Sequence, residues 1–332
     1  MKTRGKVLIL GATGGIGGET ARQLIREDWE VRALKRGGNR SVHTDDIQWI
    51  RGDALDREHV NAAATDCSVI VHAVNPPGYR NWQHLVLPML RNTISAAEQN
   101  SSLIVLPGTV YNYGPDAFPL LREDAQQRPV TKKGAIRVQM EKELEAYSQR
   151  GGRVLIVRAG DFFGPHAGNN WFSQGLIKPG RLPKVISNPG TPDTGHQWAY
   201  LPDIAKTISA LLARHEELDP FARFHMQGHW DPDGREMARA IQRITAHYGS
   251  AAKIQPFPWW FMYMAAPFNA TLRELLEMRY LWRQSARLDN TKLVTFLGTE
   301  PHTPLDEAVH MTLQGLGCIE NADAPPPPMA RT

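Results

Sequence analysis

Along roughly the first 160 residues, apolar positions come in short unbroken runs, and the stretches between them carry apolar residues at helical spacing. The runs 7–10, 31–34, 47–50, 69–74, 103–106 and 154–157 read as six strands. Four of them are nearly all apolar, which suits strands covered on both faces of a parallel sheet. Between the first two, 19–29 sets Ala21, Leu24 and Ile25 on one helical face. Between the fourth and fifth, 82–99 does the same with Leu85, Val86, Met89, Leu90, Ile94 and Ala97. Between the fifth and sixth, 134–150 carries Ile136, Met140, Leu144 and Tyr147. Such alternation predicts an α/β fold, a doubly wound parallel sheet with right-handed crossovers.

The texture changes after Gly160. Residues 164–195 are rich in Gly, Pro and Asn and read as a long loop or insertion. A helical pattern returns at 203–214, a late strand fits 223–227, and 234–248 is amphipathic. Thr271 and Glu274 have capping-box spacing ahead of Leu275 and Leu276. The predicted organisation is a dinucleotide-binding domain at 1–163, rejoined by 196–228, and a smaller substrate lobe from 164–195 and 229–318. A disordered tail at 319–332 contains four consecutive prolines.

The chain has 332 residues, 42% of them hydrophobic and 22% charged, enough for a packed core. A net charge of +4 without a dense basic run argues against nucleic acid as a partner. Cys67 and Cys318 are too few for a disulfide framework. Only four apolar residues precede Gly11, unlike a signal peptide, and no uncharged apolar run reaches the roughly 18 residues of a membrane span. These features predict a cytoplasmic protein and leave a homodimer open. Twelve histidines form no HExxH or paired Cys/His spacing, so no metal is expected. A GxSxG elbow and a Walker lysine loop are absent.

The sharpest motif is Gly11-Ala12-Thr13-Gly14-Gly15-Ile16-Gly17, which joins the first strand to the first helix. Gly11 permits a tight turn, Gly14 lets backbone N–H groups approach a pyrophosphate, and Gly17 lets helix and strand pack closely. An NAD site expects a carboxylate at the end of the second strand; here that strand runs into Lys35-Arg36-Gly37-Gly38. Two cations favour a 2′-phosphate, which Arg36 can grip through two N–H bonds, so NADP(H) is preferred over NAD(H).

With these residues in view, the chain resembles the extended or atypical short-chain dehydrogenases/reductases, the NAD(P)-dependent epimerase/dehydratase family, from Lys6 to about Leu313. Gly52-Asp53-Ala54 matches the adenine-contacting segment, with Asp53 as the contact. His72-Ala73-Val74-Asn75 matches the strand end that lies along the cofactor. Arg158-Ala159 through Gly164-Pro165 matches the segment beside the nicotinamide, and Tyr200 to Asp203 and Lys292 to Leu305 match later signatures. The resemblance also points His166, Asn169, Asn170 and Trp171, and His196 with Trp198, toward the substrate cleft. Packing of these loop residues on one another is the alternative.

The catalytic set departs from the family's pattern. Thr109 fits the hydroxyl that follows the fifth strand, but no Tyr-x-x-x-Lys occurs. The matching stretch places Lys133 at the Tyr position and Arg137 at the Lys position; a slip of one residue would place Gly134 and Val138 there. Three explanations stand. A substitute acid acts, either Tyr111 or a Lys133 whose pKa burial beside Arg137 has lowered. Water or a substrate group handles the proton instead. Or the chain binds NADP(H) without turnover, as a redox-sensing regulator. The resemblance implies the enzyme: an NADP(H)-dependent oxidoreductase or epimerase/dehydratase acting on a carbonyl or hydroxyl of a small molecule. The aromatic, Met-rich stretch 256–264 reads as lobe core, as a pocket wall, or as a surface resting on a membrane.

Overall fold

The computed structural model describes residues 4–37, 46–76, 82–168, 170–268 and 270–320. Gly38, Asn169 and the proline-bearing tail from 321 lie outside the described residues. In chain order, β1 (Lys6–Leu10), α1 (Gly15–Arg26), β2 (Glu30–Lys35), β3 (Ile47–Arg51), α2 (Arg57–Ala64), β4 (Val69–His72), α3 (Trp82–Asn100) and β5 (Leu103–Gly108) open the fold. The short β6 (Leu120–Leu121), α4 (Lys132–Gln149) and β7 (Arg153–Arg158) follow. The later chain contributes β8 (Asp161–Phe163), β9 (Val185–Asn188), β10 (His196–Tyr200), α5 (Leu201–Ala213), β11 (Phe221–His225), β12 (His229–Asp231) and α6 (Glu236–Ala246). It ends with β13 (Lys253–Pro256), α7 (Trp259–Ala265), α8 (Ala270–Glu277), β14 (Arg287–Leu288), α9 (Thr291–Leu297) and α10 (Leu305–Gly315).

The main sheet has seven strands in the order β11-β7-β5-β4-β1-β2-β3, all parallel. Alternation along β1 explains its unbroken apolar run. Val7 and Ile9 join one core with α1 and α5 residues, Leu8 and Leu10 the other with α2, α3 and α4 residues, and all four are at most 1% exposed. The strand order reverses between β1 and β4, which opens a crevice at the strands' carboxyl ends, where such sheets place ligands.

Helix α1 begins at Gly15, four residues before the apolar pattern starts, because Gly15, Gly17 and Gly18 carry no side chain to register a period. The fourth strand ends at His72; the Ala73 N–H still donates to Leu10 O at 2.9 Å, but the chain then leaves the ladder.

A third core gathers Phe163, Phe172, Trp198, Ile241, Trp282 and Leu313 from the later chain. Residues 164–195 are more structured than their composition predicts: a π-type turn spans Phe172–Leu176, and β9 pairs in parallel with β13. The capping-box spacing at Thr271 does not start a helix, since α8 begins at Ala270 and takes Thr271 into its first turn. β10 lies in a three-stranded sheet between β12 and β8, outside the main sheet. Among the described residues no helix is long and apolar enough to cross a membrane.

Candidate functional site

Backbone closes on the glycine turn at Gly11 and at Gly17. Gly11 has φ +92°, and a Cβ there would stand 2.6 Å from the Ala73 carbonyl. A Cβ on Gly17 would stand 2.7 Å from the Gly11 carbonyl carbon and closer still to its oxygen. The Gly14 N–H donates to Gly11 O at 2.9 Å, and α1 starts with neither a side-chain cap nor an acidic residue in its first turn. The helix start therefore keeps its N–H groups and partial positive charge for an anion. These residues fit the pyrophosphate of a dinucleotide. Thr13 and Ile16 flank the turn, Thr13 exposed and Ile16 half-buried.

Toward the outer edge, β2 ends at Lys35, and the exposed Arg36 follows it. The Lys35 ammonium lies 4.9 Å from the Trp49 ring, and Lys35 stands opposite Arg51 in the β2–β3 register. Asp53 closes a turn after β3 by accepting the Leu55 N–H at 3.0 Å, while Ala54 is buried and its carbonyl accepts from Asn92 at 2.9 Å. Asn75 is exposed past β4 and accepts the Trp82 indole N–H at 2.7 Å. Ala73 and Val74 beside it are half-buried. The crevice mouth thus gathers the adenine-side and strand-end candidates.

At the inner end, α4 is capped by Thr131, whose hydroxyl accepts the Gly134 N–H at 3.0 Å. Lys133 is 2% exposed, and Arg137, one turn on, is half-buried with its guanidinium 5.3 Å from the Trp82 ring. Gly134 admits no side chain, because its Cβ would fall 2.7 Å from Pro129 Cβ and closer to Tyr111 O. Of the matched positions, Lys133 and Arg137 thus supply the charged side chains, one buried and one half-buried. Buried His72 lies nearby. Its Nδ1–H donates to Thr93 Oγ1 at 2.8 Å, since the Thr93 hydroxyl donates onward to Met89 O. Burial, then the Arg137 charge, lowers the His72 pKa to about 3, so the ring is neutral. Thr109 is half-buried at the end of β5, its hydroxyl 3.4 Å from Asn112 Oδ1. Tyr111 is half-buried against the small apolar cluster that includes Tyr113, and Tyr113 is sealed, its phenol pKa raised by burial.

Beneath Thr109 lies a polar network that the sequence did not announce. Arg158, 0% exposed, makes two bonds to Glu141 at 2.7 and 2.8 Å and also donates to Thr109 O. Asn112 and Gln127 both donate to Glu141, at 2.8 and 2.7 Å. Arg158 Nε–H donates to His225 Nε2 at 3.2 Å, and His225 Nδ1–H donates to Leu121 O. Burial and the Arg158 charge hold His225 well below the usual histidine range. Arg158 was legible as a matched position, but its partners were not.

The three substrate candidates are spread apart. The His166 carbonyl and Ala167 cover Gly15, and His166 lies beside Arg22 and Glu19 of α1; burial, then Arg22, lowers its pKa. Asn170 is turned back into its own loop, donating to Gly168 O and Ala167 O and accepting from Ser173 N. His196 is buried, bonded to Asp161 at 2.9 Å and stacked on Trp282 with ring centroids 3.7 Å apart. Ala159, 2% exposed, follows Arg158 into the main core. The later chain also reaches the start of α4 and the segment after β5. Glu277 accepts the Lys132 N–H at 2.6 Å, and the Tyr280 hydroxyl donates to Tyr113 O at 3.2 Å.

The sequence profile of the NAD dependent epimerase/dehydratase family matches residues 7–226. No curated protein matches the chain. Among solved structures, the UDP-glucose 4-epimerase of Thermotoga maritima with UDP-glucose is 15% identical, with a TM-score of 0.70 over 93% of this chain and 98% of that one. The UDP-N-acetylglucosamine 4-epimerase of Bacillus cereus is 15% identical, with a TM-score of 0.69 over 94% and 99%. The Bordetella bronchiseptica enzyme WbmH, in complex with NAD+, is 19% identical, with a TM-score of 0.67 over 94% and 97%. These likenesses establish a shared fold.

Proposed function

The chain belongs to the NAD-dependent epimerase/dehydratase family, and on that premise we propose that it uses NADP(H) to act on a carbonyl or hydroxyl group of a small molecule. The observation that carries this reading is the glycine turn, whose Gly11 and Gly17 have no room for a methyl group and whose helix start is uncapped. Gly11, Thr13, Gly14, Gly15, Ile16 and Gly17 would hold the pyrophosphate. Asp53 and Ala54 would hold the adenine edge, and Ala73, Val74, Asn75 and Ala159 the inner half. The nicotinamide ring, when bound, supplies or accepts a hydride.

Arg36 would grip the 2′-phosphate. Charge-assisted hydrogen bonds of this kind contribute about 1.5–3 kcal/mol. Arg36→Ala is therefore expected to weaken NADPH binding by about tenfold or more and to leave NADH binding unchanged. Fluorescence titration with both coenzymes checks this; wild-type protein that binds the two equally refutes the preference.

Thr109 would orient the substrate oxygen, and Lys133, the side chain at the family's Tyr position, would donate or take the proton, with Arg137 as a fixed positive charge beside it. Tyr111, half-buried against a small apolar cluster, is the alternative acid. Thr109→Ala should cut turnover by about 10²-fold while NADPH still binds. Unchanged turnover removes Thr109 from the reaction. The division into a coenzyme domain and a substrate lobe belongs to the same reading, supported by the separate core of the later residues. The rival is a non-catalytic NADP(H)-binding regulator, favoured by the sealed Tyr113 and the absent Tyr-x-x-x-Lys. It predicts NADPH binding without consumption across a broad carbonyl panel.

A further inference from the structure

Helix α7 turns a large apolar surface outward. Trp260, Phe261, Tyr263 and Met264 are 68%, 53%, 52% and 69% exposed, while Met262 is buried. At helical spacing the four exposed side chains share a sector of about 160°. Met262 lies opposite, and Trp259, at the edge of the sector one turn before Tyr263, packs against Trp171 and Phe257. A contiguous patch of this size, as distinct from scattered single residues, marks an interaction surface.

The stretches that lead into the patch carry charge of one sign, and Glu277, on the neighbouring α8, is half-buried against the Lys132 N–H. Neither 162–192 nor 237–273 contains an acidic residue. The two stretches meet where β9 pairs with β13: Lys253 stands opposite Val185, and its N–H donates to Lys184 O. Lys184, Val185 and Lys253 are all exposed there, and the strand continues through Phe257 into α7. Arg273, on α8, is exposed as well. Arg279 stands within the patch, its guanidinium 5.0 Å from the Trp259 ring and its Nη1 donating to the Tyr263 hydroxyl at 2.6 Å.

We infer that α7 and its basic rim form a peripheral docking surface for an anionic lipid bilayer. Trp260, Phe261, Tyr263 and Met264 enter the headgroup boundary, and Lys184, Lys253 and Arg273 meet the lipid phosphates. Indole and phenol rings settle at this boundary because one end is apolar and the other polar. Nearby lysines and arginines add attraction to a negatively charged surface. A second copy of the chain on the same face would bring these cations together, which like-charge repulsion opposes. The inference stands apart from the coenzyme reading.

The full-length protein is mixed with sonicated vesicles of phosphatidylcholine, alone or with about equal phosphatidylglycerol. Cosedimentation is expected with the anionic vesicles, together with a blue shift of tryptophan emission and its quenching by brominated acyl chains. Trp260→Ser/Met264→Ser should lower the bound fraction by about tenfold or more. Lys184→Glu/Lys253→Glu should lower it too and flatten its salt dependence. Wild-type-like thermal melts establish that both variants are folded. Absence of cosedimentation with anionic vesicles overturns the inference, as does binding that the Trp260/Met264 variant retains in full. Self-association in sedimentation velocity that this variant abolishes would assign the face to a second copy instead.

Discussion

Replacing Glu141 with Ala is expected to cost about 3–5 kcal/mol of folding stability. Arg158 is wholly buried, and Glu141 supplies both of its carboxylate bonds. Without that carboxylate the guanidinium keeps, among the described residues, Thr109 O, His225 Nε2 and the face of the Tyr113 ring, so a buried charge loses its paired counterion. Asn112 and Gln127 lose their shared acceptor at the same time. Urea unfolding should show a lower midpoint with an unchanged slope. The double replacement Glu141→Leu/Arg158→Met removes both charges and should unfold less readily than Glu141→Ala alone, because no lone ion stays behind. A Glu141→Ala protein as stable as the wild type would show that the pair does not hold the structure.

The second large effect falls on coenzyme binding. Gly17→Ala places a methyl group between α1 and the Gly11 carbonyl, backbone against backbone, with no flexible side chain to yield. Relieving that overlap moves the helix start away from β1, at a cost of about 1–3 kcal/mol. NADPH affinity should fall by at least about tenfold. Gly168→Ala is the control, because a Cβ there meets nothing within 4 Å. Fluorescence titration that finds Gly17→Ala binding as tightly as Gly168→Ala would discount the turn as the coenzyme cradle.

The main sheet was legible because its strands bury both faces, so that β1, β5 and β7 announce themselves as unbroken apolar runs. The glycine turn was legible because a close backbone approach leaves only one residue type available. Nonlocal features left no such trace. β9 is four residues long and pairs with a strand near Lys253, a partnership that no local pattern encodes. The network under Thr109 was hidden for a different reason. Asn112, Gln127 and Glu141 are polar residues of the kind a sequence assigns to solvent, yet they are satisfied inside by one another and by Arg158. Lys133 and Glu141 likewise face inward on α4, which blurs the apolar stripe that would have oriented the helix. The family resemblance pointed His196 toward the cleft, with packing as the alternative, and its ring is bonded to Asp161 and stacked on Trp282, partners that no local pattern encodes.

Glu277 on α8 accepts the first backbone N–H of α4, and Tyr280 ties the same late segment to the Tyr113 carbonyl. The helix that bears Lys133 and Arg137 is thus steadied by residues more than a hundred positions downstream. A substitution that moves α8 therefore also shifts the start of α4, so changes in these two helices, far apart along the chain, should not be independent of one another.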